Sequence, residues 1–342
     1  MQLPDYTSPP LSEALAATPT VFQNETYFDE IRDVVIAGNC SEDASHCQML
    51  YHPPAQANTD NARVGVVLYG GALVHPRSYS VMAKSLSENH GMPVAIPIFP
   101  DDVAFLGCNG TDRIQFATSA FPDVEKWLLV GHSMGGIGAQ VDFWNAINEQ
   151  DDPQEQQGVT NGTSMNTADI VGGLVLAGSY IRQDIGCGAI DFSQTQIPMA
   201  SVFAELDGVV NRTRFDIGQE FVSGDGDTLR MIVDGGNHGF FGHYNYTLRT
   251  SILGQNDGIA TISRQNQVDL TIAAIVHVAS RVRTKLPALV PKIVCEEEKG
   301  SDIGDGSDSG DGNGSSGANG LSPSFISFGM IGLATAAVSV FF

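Results

Sequence analysis

Trp127-Leu128-Leu129-Val130-Gly131-His132-Ser133-Met134-Gly135-Gly136 decides how this chain is read. An apolar, strand-like run passes without a spacer into G-x-S-x-G, and Ile137 to Asn148 then has a helical pattern, with Ile137, Val141 and Trp144 on one apolar face and Ile147 at its edge. A serine held between strand and helix on so sharp a turn projects its hydroxyl above the sheet edge, as a nucleophile must be held. The glycines two positions either side leave room for a turn too tight for side chains. In a chain with 38 glycines the motif can arise by chance, so its weight comes from being flanked by a strand and a helix.

Working outward, short runs rich in Val, Ile and Leu recur at residues 63–69, 92–98, 127–130, 170–177, 199–205 and 228–233. Helix-like segments lie at 78–88, 135–148 and 266–285. Buried strands alternating with helices predict an α/β fold: a doubly wound, mostly parallel sheet flanked by helices. Residues 31–37 and 48–52 are candidates for an antiparallel edge, and 151–167 reads as a polar surface insertion.

A serine hydroxyl needs a base to take its proton, and the base needs a carboxylate to orient it. Both appear downstream in the order Ser, Asp, His, each after its own strand. Asp207 follows the run 199–205, and His238 follows 228–233 within Asp234-Gly235-Gly236-Asn237-His238-Gly239. His243 is the rival base, while Asp184, Asp191 and Asp234 are rival acids. His132 reads as a local packing residue and His75 as a residue that could line the pocket. An oxyanion would be met by the backbone N–H of Met134 and by a second N–H from Tyr69-Gly70-Gly71-Ala72, with Ala72 the first choice and Gly71 the alternative. No metal and no organic cofactor is implied.

Five stretches together resemble the α/β-hydrolase fold-5 group, which is related to the dienelactone-hydrolase-like enzymes. They are Tyr69 to Tyr79, Gly131 to Gly136, Glu205 to Gly208, Gly236 to Gly242 and Asn256 to Arg264. The resemblance covers about residues 60 to 285 and implies an α/β-hydrolase fold with a Ser133/Asp207/His238 triad. The chain departs from the group at Gly70, often Pro there, and at His75, where an acidic residue is common. The reaction expected is acyl transfer from an ester to water. Thioesters and peptides are alternative acyl donors for the same triad, and a catalytically silent binding protein on the same scaffold is a further alternative. Only about twenty residues separate Ser179 from Met199, so a short cap and small or medium acyl substrates are expected.

The length, 342 residues with 42% hydrophobic content, is ample for one large core. The net charge of -22 argues against a nucleic-acid partner, whose phosphates need a basic surface. Seven N-x-S/T sequons, at Asn24, Asn39, Asn109, Asn161, Asn211, Asn245 and Asn313, together with five cysteines, point to the secretory route. Cys40 and Cys47 could close a short loop, Cys108 and Cys187 both follow strands, and the connectivity stays open. The first twenty residues show no basic start and no apolar run, so no signal peptide is read there.

The domain reading is an N-terminal segment at 1–25, a hydrolase domain at 26–290, an acidic Gly/Ser/Asp linker at 291–320 and a hydrophobic tail at 321–342. Small residues, a polar spacer and a terminal apolar stretch form a GPI-type attachment signal, with Ser316 the candidate site, and a transmembrane tail is the rival. The expected partners are thus a small or medium acyl substrate and a membrane reached through the C-terminal anchor. The expected place is the cell surface, and the sequence leaves the oligomeric state unread.

Overall fold

The computed structural model describes residues 8–18, 48–99, 102–104, 108, 112–148, 167–183, 185, 187–224, 228–246 and 255–288. In chain order the principal elements are α1 (Ser12–Ala17), β1 (Gln48–Tyr51), β2 (Val64–Tyr69), α2 (Ser80–Glu88), β3 (Val94–Pro97), α3 (Asp112–Ala120), β4 (Lys126–His132), α4 (Met134–Asn148), β5 (Val171–Ala177), β6 (Met199–Ala204), α5 (Arg212–Gly218), β7 (Leu229–Val233) and α6 (Arg264–Arg283). Outside the described residues lie 31–37, 151–166, Cys40, Cys47, Cys295, the acidic linker, the hydrophobic tail with Ser316, and the sequons at Asn24, Asn39, Asn109, Asn161 and Asn313.

The strands pair in the order β1-β3-β2-β4-β5-β6-β7. All pairs are parallel except β1 with β3, where Gln48 faces Pro97 and Tyr51 faces Val94. The central strands are apolar without interruption because both faces are covered. Alternate residues divide between two cores, as a pleat with a period of about two residues requires. Val66, Leu68, Leu128 and Val130 join the core under α2 and α6, while Val67, Tyr69, Trp127 and Leu129 join the core under α3 and α4.

The chain runs from β2 to β3 on one side and then returns to place β4 on the other side of β2. The connections that leave the carboxyl ends of β2 and β4 therefore run in opposite directions, and this is where open α/β sheets bind ligands. The glycine loop after β2 and the elbow after β4 stand at this crevice.

The segment at residues 8–18 is docked on this edge. Ser8 N–H donates to Leu73 O (2.7 Å) and His75 N–H to Ser8 O (3.2 Å), while Leu11 N–H donates to His243 O (2.8 Å). One strap thus ties the loop after β2 to the loop after β7. A disulfide joins Cys108 to Cys187 across 79 residues, linking the loop after β3 to the excursion between β5 and β6.

Two histidines beside the strap are buried in neutral form. Burial, with Arg77 adding to it, pushes His75 down to about 3, and burial with Arg264 pushes His243 down to about 4. Their unfolded counterparts take a proton near the ordinary value of about 6.5, so the unfolded chain binds more protons than the fold below that pH. Stability contributed by neutral burial is complete above pH ~6.5 and is lost as pH falls toward the folded values. Urea melts between pH 7 and 4.5 should therefore show stability falling with pH. His75→Asn, whose amide oxygen can still accept the Arg77 N–H, should flatten that slope by up to about 1.4 kcal/mol per pH unit.

Candidate active site

Ser133 has φ 54°, a left-handed conformation that few non-glycine residues adopt. Crowding on both sides of the elbow holds it there. A Cβ at Gly131 would lie 2.3 Å from Gly135 O, and one at Gly135 would lie 2.3 Å from Tyr69 O and 2.4 Å from Gly70 O. The backbone of β4 and α4 therefore runs in contact with the end of β2, which only glycine permits. Ser133 N–H donates to Ala177 O at the end of β5 (3.0 Å), which fixes the turn against the sheet. Leu73 and Asp102, the other described non-glycine residues with positive φ, lie in the loops after β2 and β3. Backbone strain is thus gathered at one sheet edge, a distribution typical of functional sites.

Asp207 and His238 meet directly. His238 Nδ1 lies 2.8 Å from Asp207 Oδ2, with both side chains fully or almost fully buried. The other carboxylate oxygen, Oδ1, accepts the N–H groups of Val209 (2.9 Å) and Val210 (2.7 Å), so the acid is oriented before it meets the imidazole. On the far side of the ring, His238 Nε2 is buried and has no hydrogen-bond partner among the described residues. A buried polar atom left unpaired in a native site calls for an explanation. Here the nitrogen opposite Asp207 is left able to receive a proton.

The rivals lie elsewhere. His243 N–H donates to Ser78 O (2.7 Å) and its carbonyl receives the strap. Asp191 Oδ1 caps its own turn through Ser193 N–H (2.8 Å), Asp234 is exposed, and Asp184 is outside the described residues. His75, expected as a pocket residue, is instead the cap of a short 3-10 turn. Its Nδ1 accepts the N–H of Arg77 (3.0 Å), and it does not line the cavity beside Ser133. An acidic residue, common there in the resembling group, would serve the same capping role.

The loop after β2 bears on the oxyanion assignment. Gly71 N–H donates to the Tyr79 hydroxyl (2.7 Å), which lies 2.8 Å from His132 Nδ1, and His132 Nε2 lies 3.2 Å from the carbonyl oxygen of His238. A carbonyl only accepts, so His132 carries its proton on Nε2 and takes the Tyr79 proton on Nδ1. Gly71 N–H is therefore already taken up by Tyr79 within this loop. Ala72 shares a small buried cluster with Leu73, Val103 and Met134, which brings this loop to the first turn of α4.

Two further residues position the loops that bear Asp207 and His238 and were not singled out from the sequence. Gln267, fully buried on α6, donates to Asn237 O (2.7 Å) and accepts from Asn237 N–H (3.1 Å). Asp257 reaches across both loops. Its Oδ1 accepts from Gly208 N–H (3.1 Å), His238 N–H (3.1 Å) and Gly258 N–H (3.0 Å), and its Oδ2 accepts from Gly239 N–H (2.8 Å). One carboxylate thus sets the spacing between the residue after Asp207 and the backbone of His238. Only its place in Asn256-Asp257-Gly258, one of the stretches of family resemblance, pointed toward it.

A cavity of about 230 Å³ opens beside the elbow, lined by Ser133, Met134, Ile137 and Ser179 among others. Asn211 reaches its wall as the N-cap of α5, with its side-chain oxygen 2.8 Å from Thr213 N. Of the two described sequon asparagines, Asn211 and Asn245, both are exposed.

The sequence model of the alpha/beta hydrolase family matches residues 65–150 and 156–269, more than half of the chain. The chain belongs to that family. Among solved structures, it is similar to Thermogutta terrifontis esterase 2 phosphoramylated by tabun, at 13% identity and TM-score 0.45 over 68% of this chain and 89% of that one. A metagenome-derived lipolytic enzyme is 14% identical with TM-score 0.38, over 60% of this chain and 95% of that one. No curated protein sequence matches.

Misplacing catalytic groups by about 1 Å can cost about 100-fold in rate. Asp257→Ala should therefore lower kcat by roughly that factor while changing KM little. Asp257→Asn, which sets an amide N–H against Gly239 N–H, should fall between. Steady-state kinetics, read beside thermal melts of each variant, check this, and a wild-type kcat in the alanine variant would remove the positioning role.

Proposed function

We propose that the protein is a serine hydrolase that cleaves carboxylic esters through an acyl-enzyme. The observation that carries this reading is His238, held by Asp207 on one nitrogen and left unpartnered on the other, at the sheet edge where Ser133 stands on its elbow. Ser133 Oγ attacks the ester carbonyl carbon while His238 Nε2 takes the hydroxyl proton. Asp207 keeps the proton of Nδ1 in place and stabilises the imidazolium that forms. The negative charge on the carbonyl oxygen is met by the N–H of Met134, at the positive end of α4, and by that of Ala72. Collapse of the tetrahedral species expels the alcohol, which receives the proton from His238. Water then enters and attacks the acyl carbon as it gives a proton to His238; the acid leaves as His238 returns that proton to Ser133 Oγ. Membership of the alpha/beta hydrolase family supports hydrolytic chemistry, and the small cavity supports a small or medium acyl substrate.

Short-chain p-nitrophenyl esters, assayed beside thioesters and peptides, test the reading. Ser133→Ala and His238→Ala should each lose at least about 10³-fold in kcat/KM, the scale expected for members of such a triad. His243→Ala should keep most of the activity. Turnover of peptides or thioesters with esters left intact would replace the acyl donor, and equal loss in the His243 variant would move the base.

We infer further that the chain enters the secretory route and is held at the cell surface by a GPI-type anchor. The Cys108–Cys187 disulfide suits an oxidising compartment, and the seven sequons and the apolar tail point the same way. Among the described residues no helix is long and apolar enough to cross a membrane. Phosphatidylinositol-specific phospholipase C should release the protein from membranes; retention after proven enzyme action would favour a spanning tail.

A further inference from the structure

We propose that Asn211 carries an N-linked glycan that stands at the rim of the cavity beside Ser133 and limits the size of the esters that reach it; this rests on the secretory and serine-hydrolase readings above. Asn211-Arg212-Thr213 is an N-x-T sequon, and both Asn211 and Thr213 are exposed. Among the described residues, Asn211 also lines the cavity beside the elbow, with Ser133, Met134 and Val210. A residue that lines a cavity and is open to solvent at once marks its edge. Asn245, the other described sequon asparagine, does not line that cavity, and its N–H donates to Pro9 O (3.4 Å) on the strap.

The two ends of the Asn211 amide have different tasks. Oδ1 caps α5, accepting the N–H groups of Thr213 (2.8 Å) and Arg214 (3.4 Å). Nδ2 makes no hydrogen bond among the described residues. Glycosylation suits that division, because it replaces one hydrogen of Nδ2 and leaves the carbonyl oxygen in place. The bond formed joins Nδ2 to the anomeric carbon of the glycan. The bond broken joins that carbon to the pyrophosphate of a lipid-linked oligosaccharide donor, which leaves with the electron pair, and the amide proton passes to a base. The asparagine that carries the glycan is held in place from both sides. Before it, Val209 N–H (2.9 Å) and Val210 N–H (2.7 Å) donate to Asp207 Oδ1. After it, the fully buried Phe215 donates its N–H to Asn211 O (3.1 Å) and packs on Phe203 of β6, with ring centroids 4.7 Å apart. A glycan is bulky and hydrated, so on a fixed rim it excludes by volume. The cavity of about 230 Å³ takes a small acyl group whole, whereas a long one extends to the rim.

The test begins with peptide mapping of the protein purified from the cells that make it, after peptide N-glycosidase treatment in heavy-oxygen water. Asn211 should be found converted to labelled Asp. Thr213→Ala removes the sequon and keeps the cap, which uses the backbone N–H of Thr213, while Thr213→Ser keeps both. The two variants, made in the same cells, are compared with the wild type on p-nitrophenyl acetate and p-nitrophenyl dodecanoate. In Thr213→Ala the dodecanoate-to-acetate ratio of kcat/KM should rise about tenfold, and in Thr213→Ser it should stay at the wild-type value. An unmodified Asn211 with a glycan at another sequon would overturn the proposal and leave the secretory reading standing. No glycan at any of the seven sequons would remove both. A glycosylated Asn211 with the same ratio in Thr213→Ala and wild type would overturn the size limit. Turnover of neither ester, together with no fluorophosphonate label at Ser133, would remove the hydrolase reading and the size limit with it.

Discussion

Ser133 can hold φ 54° only while residues 131 and 135 carry no side chain. The contact of α4 with the carbonyls of Tyr69 and Gly70 is closer than any Cβ would allow, and the rest of the site is laid out from it. That contact joins the β4 turn to the end of β2, the two strands between which the chain reverses direction. Ser133, the first turn of α4 and the glycine loop are thereby brought to one crevice. Strain of about 1–3 kcal/mol at a residue such as Ser133 persists only where the surrounding packing over-determines it. β4, buried from Trp127 to His132, and its neighbours on both faces supply that packing.

Around the elbow, the loops that bear Asp207 and His238 are held mostly through backbone groups. Asp257 gathers N–H groups from the Asp207 and His238 loops, Gln267 grips Asn237, and the strap at residues 8–18 ties the loop after β2 to the loop after β7. His132 and Tyr79 close the circuit between Gly71 and the His238 carbonyl. Such a frame fixes the backbone of His238, and the His132 ring packs 4.8 Å from its imidazole. Among the described residues, His238 Nε2 has no hydrogen-bond partner.

The sheet was legible because strands buried on both faces are written as short apolar runs, and the positions of Ser133, Asp207 and His238 were legible because each follows such a run. What escaped is carried by groups that leave no side-chain pattern. Asp257 acts on four N–H groups, and as one of 39 acidic residues in the chain, without a strand before it, it has no local signature. The docking of residues 8–18 rests chiefly on main-chain bonds, so its mixed composition gives no sign of it. The Cys108–Cys187 pairing spans 79 residues and depends on the fold. His75 was misplaced because a ring nitrogen that caps a turn looks, in sequence, like any histidine in a loop near the site. Gly70-Gly71 suggested a loop that could approach an oxyanion, but that the N–H of Gly71 is taken up depended on Tyr79, eight residues along.

The central claim is that Ser133 is a nucleophile made reactive by a His238–Asp207 pair. The most direct measurement is peptide mapping by mass spectrometry after brief exposure to an organophosphonate. The account predicts a single adduct on the peptide bearing Ser133, formed far more slowly in Asp207→Ala and His238→Ala at equal folded fraction. An adduct on another residue, or undiminished labelling of Ser133 in both variants, would contradict it.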